Sequence, residues 1–270
     1  MINLDKILKN RTAIMGILNV TPDSFSDGGE NILPEKAVNK IKEMIKNGVD
    51  IIDVGGQSTR PGYTCVSAED ELTRILPVLE IIFSFDIIVS VDTFYPFVAK
   101  KALELGAHII NDVTGLDDGE MIKLIAKSNA KAVITHHEGG DITEVTSFLN
   151  QRADKAVLNG ISEKNIILDG GIGFLKSYEE DISIIKNYGQ IAKLGYPLII
   201  GASRKRVIGL SSQTDNKKDR LYGTIAAHTI AQAQGANILR VHDVKEAKQA
   251  ALTSDKILFG REDNIGTNHY

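Results

Sequence analysis

The amino-acid sequence predicts an α/β protein, a (β/α)₈ TIM barrel, from the number, order and composition of its hydrophobic segments. Eight short apolar segments alternate with amphipathic ones along the 270 residues, which is typical of parallel strands connected by helices. The apolar segments are almost continuously hydrophobic, as strands buried on both faces are. Eight is also the number of parallel strands that closes such a barrel.

The predicted strands are spaced so that a helix fits between each pair. They cover residues 12–19, 50–54, 87–92, 108–113, 130–136, 165–169, 197–202 and 237–242. Helices are predicted over residues 34–47, 67–82, 96–105, 142–159, 179–194 and 220–234. In residues 34–47 the apolar positions recur at steps of three and four, which places them on one helix face. Glycines suited to left-handed helix C-caps precede five of the strands: Gly48, Gly106, Gly160, Gly195 and Gly235.

The chain is expected to fold as one domain over residues 1–270. No Pro- or Ser-rich linker and no shift in composition divides it, and barrels of about 250 residues are common as single domains. A doubly wound open sheet is the alternative architecture. The sequence offers no G-x-G-x-x-G after the first strand to support that alternative.

Composition and charge exclude several classes of partner. The formal net charge of -4 and the isoelectric point near 5.9 make nucleic acid a poor partner. The densest apolar run, residues 81–91, is shorter than the roughly 20 residues of a membrane span and contains Asp86. The single Cys65 excludes an internal disulfide. With an N-terminus unlike a signal peptide, the chain is predicted to be cytoplasmic and to act on small molecules.

Polar and titratable residues follow each predicted strand. They are Asn19, Asp53, Asp92, Asn111 with Asp112, His136 with His137, Asp169, Ser203 to Lys205, and Arg240 with His242. All strands of a barrel point the same way, so these residues are expected at one mouth, where barrel active sites lie. The carboxylates and amide of Asp92, Asn111 and Asp169 suit a heterocycle rich in N–H donors.

The last two strands are followed by cationic side chains. Lys205, Arg240 and His242 suit the oxygens of a phosphate group, and phosphate sites often occupy this part of a barrel. At the first strand, Asn19 offers a neutral oxygen that could complete a Mg²⁺ shell made otherwise of phosphate and water. The sequence therefore predicts an anion site, with Mg²⁺ as its cofactor.

Two loops carry glycine together with hydroxyl groups and charge. They are residues 21–29 and residues 57–63, and the second contains Arg60 and Pro61. Glycine allows backbone to approach a ligand or to move. Both loops are therefore interpreted as lids that contact a charged substrate.

Seven segments, in order, resemble the successive motifs of the dihydropteroate synthase family. They are GILNVTPDSFSDGG, DVGGQSTRPG, SVDTF, IINDVTG, ILDGGIGF, GASRKRVIG and ILRVHDV, between about Ile14 and Val244. The resemblance implies a (β/α)₈ barrel, usually a homodimer and a sulfonamide target. Such enzymes condense 6-hydroxymethyl-7,8-dihydropterin diphosphate with 4-aminobenzoate in folate biosynthesis.

The resemblance also implies roles for individual residues. The pterin ring would be held by Asp92, Asn111, Asp169 and Lys205, and catalysis is assigned to Asp92, Asp169 and Lys205. The diphosphate would be bound by Asn19, Thr59, Arg240 and His242, with Asn19 also on Mg²⁺. The aminobenzoate pocket would be framed by Phe25, Pro61, Phe174 and Ser203. The implied mechanism resembles an SN1 displacement in which diphosphate leaves before the aniline nitrogen attacks.

The sequence departs from the family pattern in two places. Gly170 stands where the family usually has proline in D-P-G-I-G-F, a change expected to loosen the turn beside Asp169. After strand five the chain reads THHEGGD and reaches its next helix sooner than the family pattern. The pair His136–His137 is not expected to bind metal, because adjacent strand residues face opposite sides.

Two alternative functions remain open from the sequence. A pterin-binding methyltransferase of the related barrel group would share the carboxylates and the amide but would not need the cationic residues after strands seven and eight. A catalytically degenerate paralogue would bind pterin without turnover, and the short loop after strand five is the feature that favours it.

Overall fold

Eight parallel strands close into a single barrel in the order of the sequence, from β1 beside β2 to β8 beside β1. This closed order confirms the predicted (β/α)₈ barrel. The computed structural model describes residues 3–21, 32–57 and 65–261.

The strands lie where the hydrophobic segments predict them, with ends that differ by two residues at most. They are β1 Ala13–Asn19, β2 Ile51–Gly55, β3 Ile88–Asp92, β4 Ile109–Asp112, β5 Lys131–Thr135, β6 Ile166–Asp169, β7 Leu198–Ile200 and β8 Ile238–Val241. The five glycines predicted as C-caps all have positive φ angles, between 83° and 111°. Gly106, for example, ends its helix at φ 111°, a conformation that costs a residue with a side chain more than glycine.

Helices cover the outside of the barrel. In the described ranges they are α1 Leu4–Asn10, α2 Ile32–Lys46, α3 Ala68–Ile82, α4 Pro96–Leu105, α5 Gly119–Ser128, α6 Ile142–Leu158, α7 Tyr178–Lys186, α8 Gly189–Ala192, α9 Arg206–Ser212, α10 Leu221–Ala233 and α11 Val244–Phe259. None of these helices combines the length and hydrophobicity needed to cross a bilayer.

One helix prediction is wrong in its continuity. The segment 179–194 does not form one helix, because α7 ends at Lys186 and the four-residue α8 begins at Gly189. Two residues lie between them, Asn187 and Tyr188, and the second is fully buried with its hydroxyl donating to the carbonyl of Ile199 in β7. Tertiary packing of Tyr188 thus overrides a helical pattern that is continuous in the sequence.

The lower half of the barrel interior is filled by apolar side chains. The strands contribute Ala13, Met15, Ile51, Ile88, Ile109, Val133, Ile167, Ile199 and Ile238. Helix α1 covers this end with Leu4, Ile7 and Leu8. The interior is therefore a packed core at its N-terminal end and leaves the opposite mouth for a site.

The next inward-facing layer is polar, because strand side chains alternate with a period of two. The residues two positions after apolar core residues of their strands are Asp53, Ser90, Asn111, Thr135, Asp169, Gly201 and Arg240. Asp92 lies a further two residues along β3 and is paired with Asn111 in the strand register. The strand period thus brings carboxylates, an amide and a guanidinium into one layer.

Candidate active site

Arg240 lies at the centre of this polar layer and joins two carboxylates. Its Nε donates to Oδ2 of Asp53 over 2.7 Å, and its Nη2 donates to Oδ2 of Asp92 over 2.6 Å. Asn111 Nδ2 donates to the same Asp53 oxygen over 3.2 Å. Burial disfavours the charged guanidinium, but Asp53 and Asp92 outweigh burial and raise the pKa of Arg240. Arg240 is therefore a fixed cation between two acids.

The second oxygen of each acid has no donor. Oδ1 of Asp53 and Oδ1 of Asp92 are buried and make no hydrogen bond within the described part of the chain. Burial raises the pKa of Asp92, while Arg240 acts in the opposite direction. Since buried polar atoms are nearly always hydrogen-bonded, these two oxygens are acceptors suited to a ligand with N–H groups.

Asp169 ends β6 on the same mouth. Its Oδ1 accepts from the backbone N–H of Gly171 over 2.8 Å. Gly201 lies between Asp169 and Arg240, since a Cβ there would stand 3.9 Å from Asp169 Oδ2 and 3.8 Å from Arg240 Cδ. Burial raises the pKa of Asp169, and Lys205 opposes this rise. The absence of a side chain at Gly201 leaves the two charged groups facing each other across the strand.

Lys205 precedes α9 and extends over the loop after β6. Its Nζ donates to the carbonyl of Ile172 and lies 4.7 Å from the ring centroid of Phe174. Burial lowers the pKa of Lys205 to about 8, with Asp169 acting in the opposite direction. Lys205 is thus a cation at neutral pH that loses its charge in mildly alkaline solution.

Ser203 and His242 connect the loops after β7 and β8. Ser203 Oγ lies 3.0 Å from His242 Nδ1 and accepts from the backbone N–H of His242 over 3.2 Å. Nearby, Arg204 Nε donates to Oδ2 of Asp243 over 2.9 Å. The two loops are therefore fastened to each other beside Arg240.

Asn19 ends β1, where it is paired with Gly55 in the strand register. A Cβ on Gly55 would lie 3.4 Å from that of Asp92, so Asn19 is on the same rim. Among the described residues, no three His, Cys, Asp or Glu side chains are grouped as a metal site. One amide oxygen suits a Mg²⁺ that takes its other oxygen ligands from phosphate and water, and does not by itself make a site for a resident ion.

The structure brings together most of the residues that the sequence singles out. Those within its described ranges are Asn19, Asp92, Asn111, Asp169, Phe174, Ser203, Lys205, Arg240 and His242. Phe25, Thr59, Arg60 and Pro61, and with them most of the two predicted lids, lie outside the described residues. The acidic and cationic groups are not segregated, since Arg240 stands between Asp53 and Asp92.

Sequence reasoning placed Asp53 at the mouth of the barrel without giving it a role, and it did not single out Glu71. Asp53 accepts from both Arg240 and Asn111, a contact that depends on the closed barrel. Glu71 on α3 is fully buried; its Oε2 accepts from Gln57 Nε2 over 2.7 Å. Burial raises the pKa of Glu71 to about 7. No local pattern distinguishes Glu71 from the other acids of its helix.

The short loop after β5 is fastened to the loop after β6 by Lys176. Its Nζ lies 2.9 Å from His136 Nδ1 and donates to the carbonyls of Glu138 and Gly171 over 2.8 and 3.0 Å. Burial lowers the pKa of His136 to about 4, so its neutral imidazole accepts from the ammonium group.

The expectation that His136 and His137 face opposite sides is wrong. Strand β5 ends at Thr135, so the alternation of strand side chains does not extend to them. Both rings contact Phe148, with centroid distances of 4.8 and 5.7 Å.

Comparison with known proteins gives a consistent family. The model of the pterin binding enzyme family matches residues 15–242. The dihydropteroate synthase of Clostridium beijerinckii is 45% identical over 258 residues, which are 92% of this chain and 95% of that protein.

Solved structures agree with this match. A Clostridium difficile dihydropteroate synthase, determined with pteroic acid present, superposes with a TM-score of 0.89 at 41% identity, covering 93% of this chain and 98% of that one. The Xanthomonas albilineans dihydropteroate synthase with 4-aminobenzoic acid gives a TM-score of 0.87 at 37% identity, covering 92% and 93%.

Proposed function

The chain belongs to the dihydropteroate synthase family, the transferases of folate biosynthesis, and on that premise we propose how its barrel performs the condensation. The reaction joins 6-hydroxymethyl-7,8-dihydropterin diphosphate to 4-aminobenzoate and releases 7,8-dihydropteroate and diphosphate. The observation that carries the proposal is the pair of buried carboxylate oxygens on Asp53 and Asp92 that have no hydrogen-bond partner among the described residues. The N–H groups of a pterin supply the donors that these oxygens lack.

The pterin ring is held by the polar layer. Asp92 and Asp53 accept from its N–H groups, Asn111 and Asp169 add an amide and a carboxylate, and Lys205 donates from above. Phe174 and Ser203 line the side on which 4-aminobenzoate binds. Arg240 and His242 face the diphosphate, whose oxygens suit cationic donors.

Bond cleavage precedes attack in the proposed mechanism. The bond between the pterin methylene carbon and the diphosphate oxygen breaks, and both electrons leave with the diphosphate. The cationic pterin is stabilised by fixed carboxylates, which act most strongly where charge develops. The aniline nitrogen then bonds to the methylene carbon and loses one proton. A neutral aniline needs little help from a base, and the polar layer serves mainly to stabilise charge.

Asn19 would supply one neutral oxygen ligand to a Mg²⁺ bound together with the diphosphate. When bound, the ion neutralises charge on the leaving group. We expect turnover to stop in excess chelator and to return when Mg²⁺ is added. Asn19→Ala should shift the Mg²⁺ titration of activity to higher concentration, whereas Asn47→Ala, at the other end of the barrel, should not. An unchanged titration for Asn19→Ala would show that Asn19 only ends its strand.

Affinity for the diphosphate substrate should fall as pH rises through about 8. Below that pH Lys205 is a cation; above it the ammonium loses its proton, because burial has lowered its pKa. Lys205→Arg keeps the charge and should move the fall to higher pH. Lys205→Ala should weaken binding at pH 7 by about 2 kcal/mol, while Lys193→Ala, on the surface at the far end of the barrel, serves as the control. Calorimetric titrations that give the same affinity at pH 7 and pH 9 would contradict this role.

A diphosphate-release assay tests the function itself. Release that requires both 4-aminobenzoate and the pterin diphosphate supports the synthase. Pterin binding without release indicates a degenerate paralogue, and methyl transfer from a methyl-folate to a corrinoid indicates the methyltransferase alternative.

We further infer a homodimer built from one pterin-binding domain per chain, over residues 1–270. Exposed apolar side chains on α10 and α11, among them Tyr222, Ile230 and Ile257, are the kind that subunit contacts cover. Sedimentation equilibrium tests this, and a monomer at micromolar concentration would contradict it.

A further inference from the structure

Tyr188 connects β6 to β7 directly beneath Asp169. Its side chain is fully buried. Its hydroxyl donates to the carbonyl of Ile199, and the backbone N–H of Gly170 approaches the same hydroxyl over 3.4 Å. Asp169 and Ile199 are paired in the strand register, so the contact lies at the level of a substrate-binding carboxylate.

The hydroxyl takes the place of a main-chain hydrogen bond. In the ladder below it, the N–H of Leu168 donates to the carbonyl of Pro197 over 2.9 Å. Parallel strands repeat this bond every second residue, so the next one would run from Gly170 N to Ile199 O. Tyr188 Oη stands between these two atoms and bridges them. At the end of β6, the tyrosine hydroxyl therefore connects β6 and β7 in place of a direct main-chain hydrogen bond.

The ring of Tyr188 packs against Gly170, where a side chain would be crowded. A Cβ on Gly170 would lie 3.1 Å from Tyr188 Cε2, 3.1 Å from Ile191 Cδ1 and 3.3 Å from Ile184 Cγ2, which is tighter than most contacts that a Cβ makes. A proline here would also lack the N–H that faces the hydroxyl. The departure from the family's D-P-G pattern therefore does not leave an empty, loosened turn, because Tyr188 occupies the space.

We propose that Tyr188 and Gly170 form a positioning pair that sets the orientation of the Asp169 carboxylate. The pair acts through the backbone: Tyr188 holds the N–H of Gly170, and the next residue, Gly171, donates its own N–H to Asp169 Oδ1 over 2.8 Å. The two N–H groups belong to successive peptide groups, so fixing the first restricts the second, whose N–H aims the carboxylate. This inference rests on the proposed function, in which Asp169 binds the pterin.

A double-mutant cycle between Tyr188 and Asp169 tests the pair. Tyr188→Phe keeps the ring and removes only the hydroxyl, so the dissociation constant of the pterin diphosphate should rise about fivefold to tenfold. In an Asp169→Asn background the same change should add less than about twofold, because its effect passes through the carboxylate. Tyr196→Phe, the same substitution before β7 at the other end of the barrel, should leave affinity unchanged.

The outcomes separate failure of this inference from failure of the function. If Asp169→Asn leaves pterin affinity unchanged, the proposed site itself is wrong. If Asp169→Asn weakens binding but Tyr188→Phe does not, or adds its full effect in both backgrounds, only the positioning pair is wrong.

Thermal unfolding provides a readout that does not involve ligand. Gly170→Ala should lower the melting temperature because its Cβ meets the tyrosine ring, and much of this loss should vanish in Gly170→Ala/Tyr188→Leu. Equal losses with either residue at position 188 would overturn the pairing of the two residues. Should the leucine variant not fold, the cycle built on Tyr188→Phe decides alone.

Discussion

Arg240→Met should weaken diphosphate-substrate binding and destabilise the fold at once. Methionine keeps much of the length of the side chain but leaves Asp53 and Asp92 without the cation that both contact, at 2.7 and 2.6 Å. Breaking a buried pair by removing one partner costs about 3–5 kcal/mol of stability, because an uncompensated charge remains buried. Substrate affinity should fall by about 2 kcal/mol, since a charge-assisted bond to phosphate is lost.

The destabilisation should depend on pH in a defined direction. Burial raises the pKa of Asp92, and Arg240 is the largest influence that opposes this rise. The folded state thus already binds this proton more tightly than the unfolded chain does, and without Arg240 the difference grows. Stability contributed in this way is greatest at low pH and is lost as pH rises through the folded pKa. The variant should thus be closest to the parent protein near pH 5 and furthest from it near pH 8.

Urea titrations at pH 5 and pH 8 measure this difference. Arg152→Met is the matched control, because Arg152 pairs with the exposed Asp117 over 2.8 Å and surface pairs contribute at most about 1 kcal/mol. Arg240→Lys keeps the charge but cannot donate to both carboxylates in the geometry of a guanidinium, so its stability should lie between those of the parent and the methionine variant. Equal loss of stability at both pH values would show that the pair is not the source of the effect.

The barrel and its mouth were predictable because both follow from local patterns. Near-continuous apolar strands such as Ile51–Gly55 are recognisable without tertiary information, and the shared direction of parallel strands brings their polar ends together. The contact between Asp53 and Arg240 joins residues 187 positions apart. Its existence depends on barrel closure, in which β1 pairs with β8, and no local pattern contains that information.

The break at Tyr188 illustrates the opposite limit. The apolar spacing across 179–194 favours one helix, and local propensity offers no reason to end it at Lys186. Its end depends on the buried position of the Tyr188 ring, which lies so close to Gly170 that a Cβ there would stand 3.1 Å from it. Helix α11, which is not among the predicted helices, is a different case. Val244, Ala247 and Ala251 are buried at helical spacing, so its local pattern is sufficient to predict a helix.

Asp92→Asn should reduce turnover much more than it reduces pterin affinity. Asp92 Oδ2 accepts from Arg240 Nη2, so the amide oxygen of asparagine takes that place and its NH₂ group replaces Oδ1, which has no partner among the described residues. The ground state loses one acceptor for a pterin N–H and gains a mismatched donor. The transition state loses more, since positive charge grows on the pterin as diphosphate leaves and a fixed negative charge is no longer beside it.

Only stabilisation that is greater in the transition state than in the ground state raises the rate. By analogy with other electrostatic deletions, the saturated single-turnover rate should fall on the order of 10²-fold or more. The dissociation constant of the pterin diphosphate, measured beside it, should rise by a smaller factor.

Asp112→Asn makes the same substitution at the end of the neighbouring strand β4. There Oδ1 accepts from the N–H and the hydroxyl of Thr114, both over 2.7 Å, while Oδ2 has no partner among the described residues. Because Asp112 follows Asn111 in β4, its side chain leaves the strand on the face opposite the polar layer. The control should therefore lower stability and leave the single-turnover rate close to that of the parent. If Asp92→Asn instead abolishes pterin affinity while the saturated rate stays normal, Asp92 is a binding residue. The negative charge that stabilises the pterin cation must then come from Asp53 or Asp169, the other two carboxylates of the polar layer.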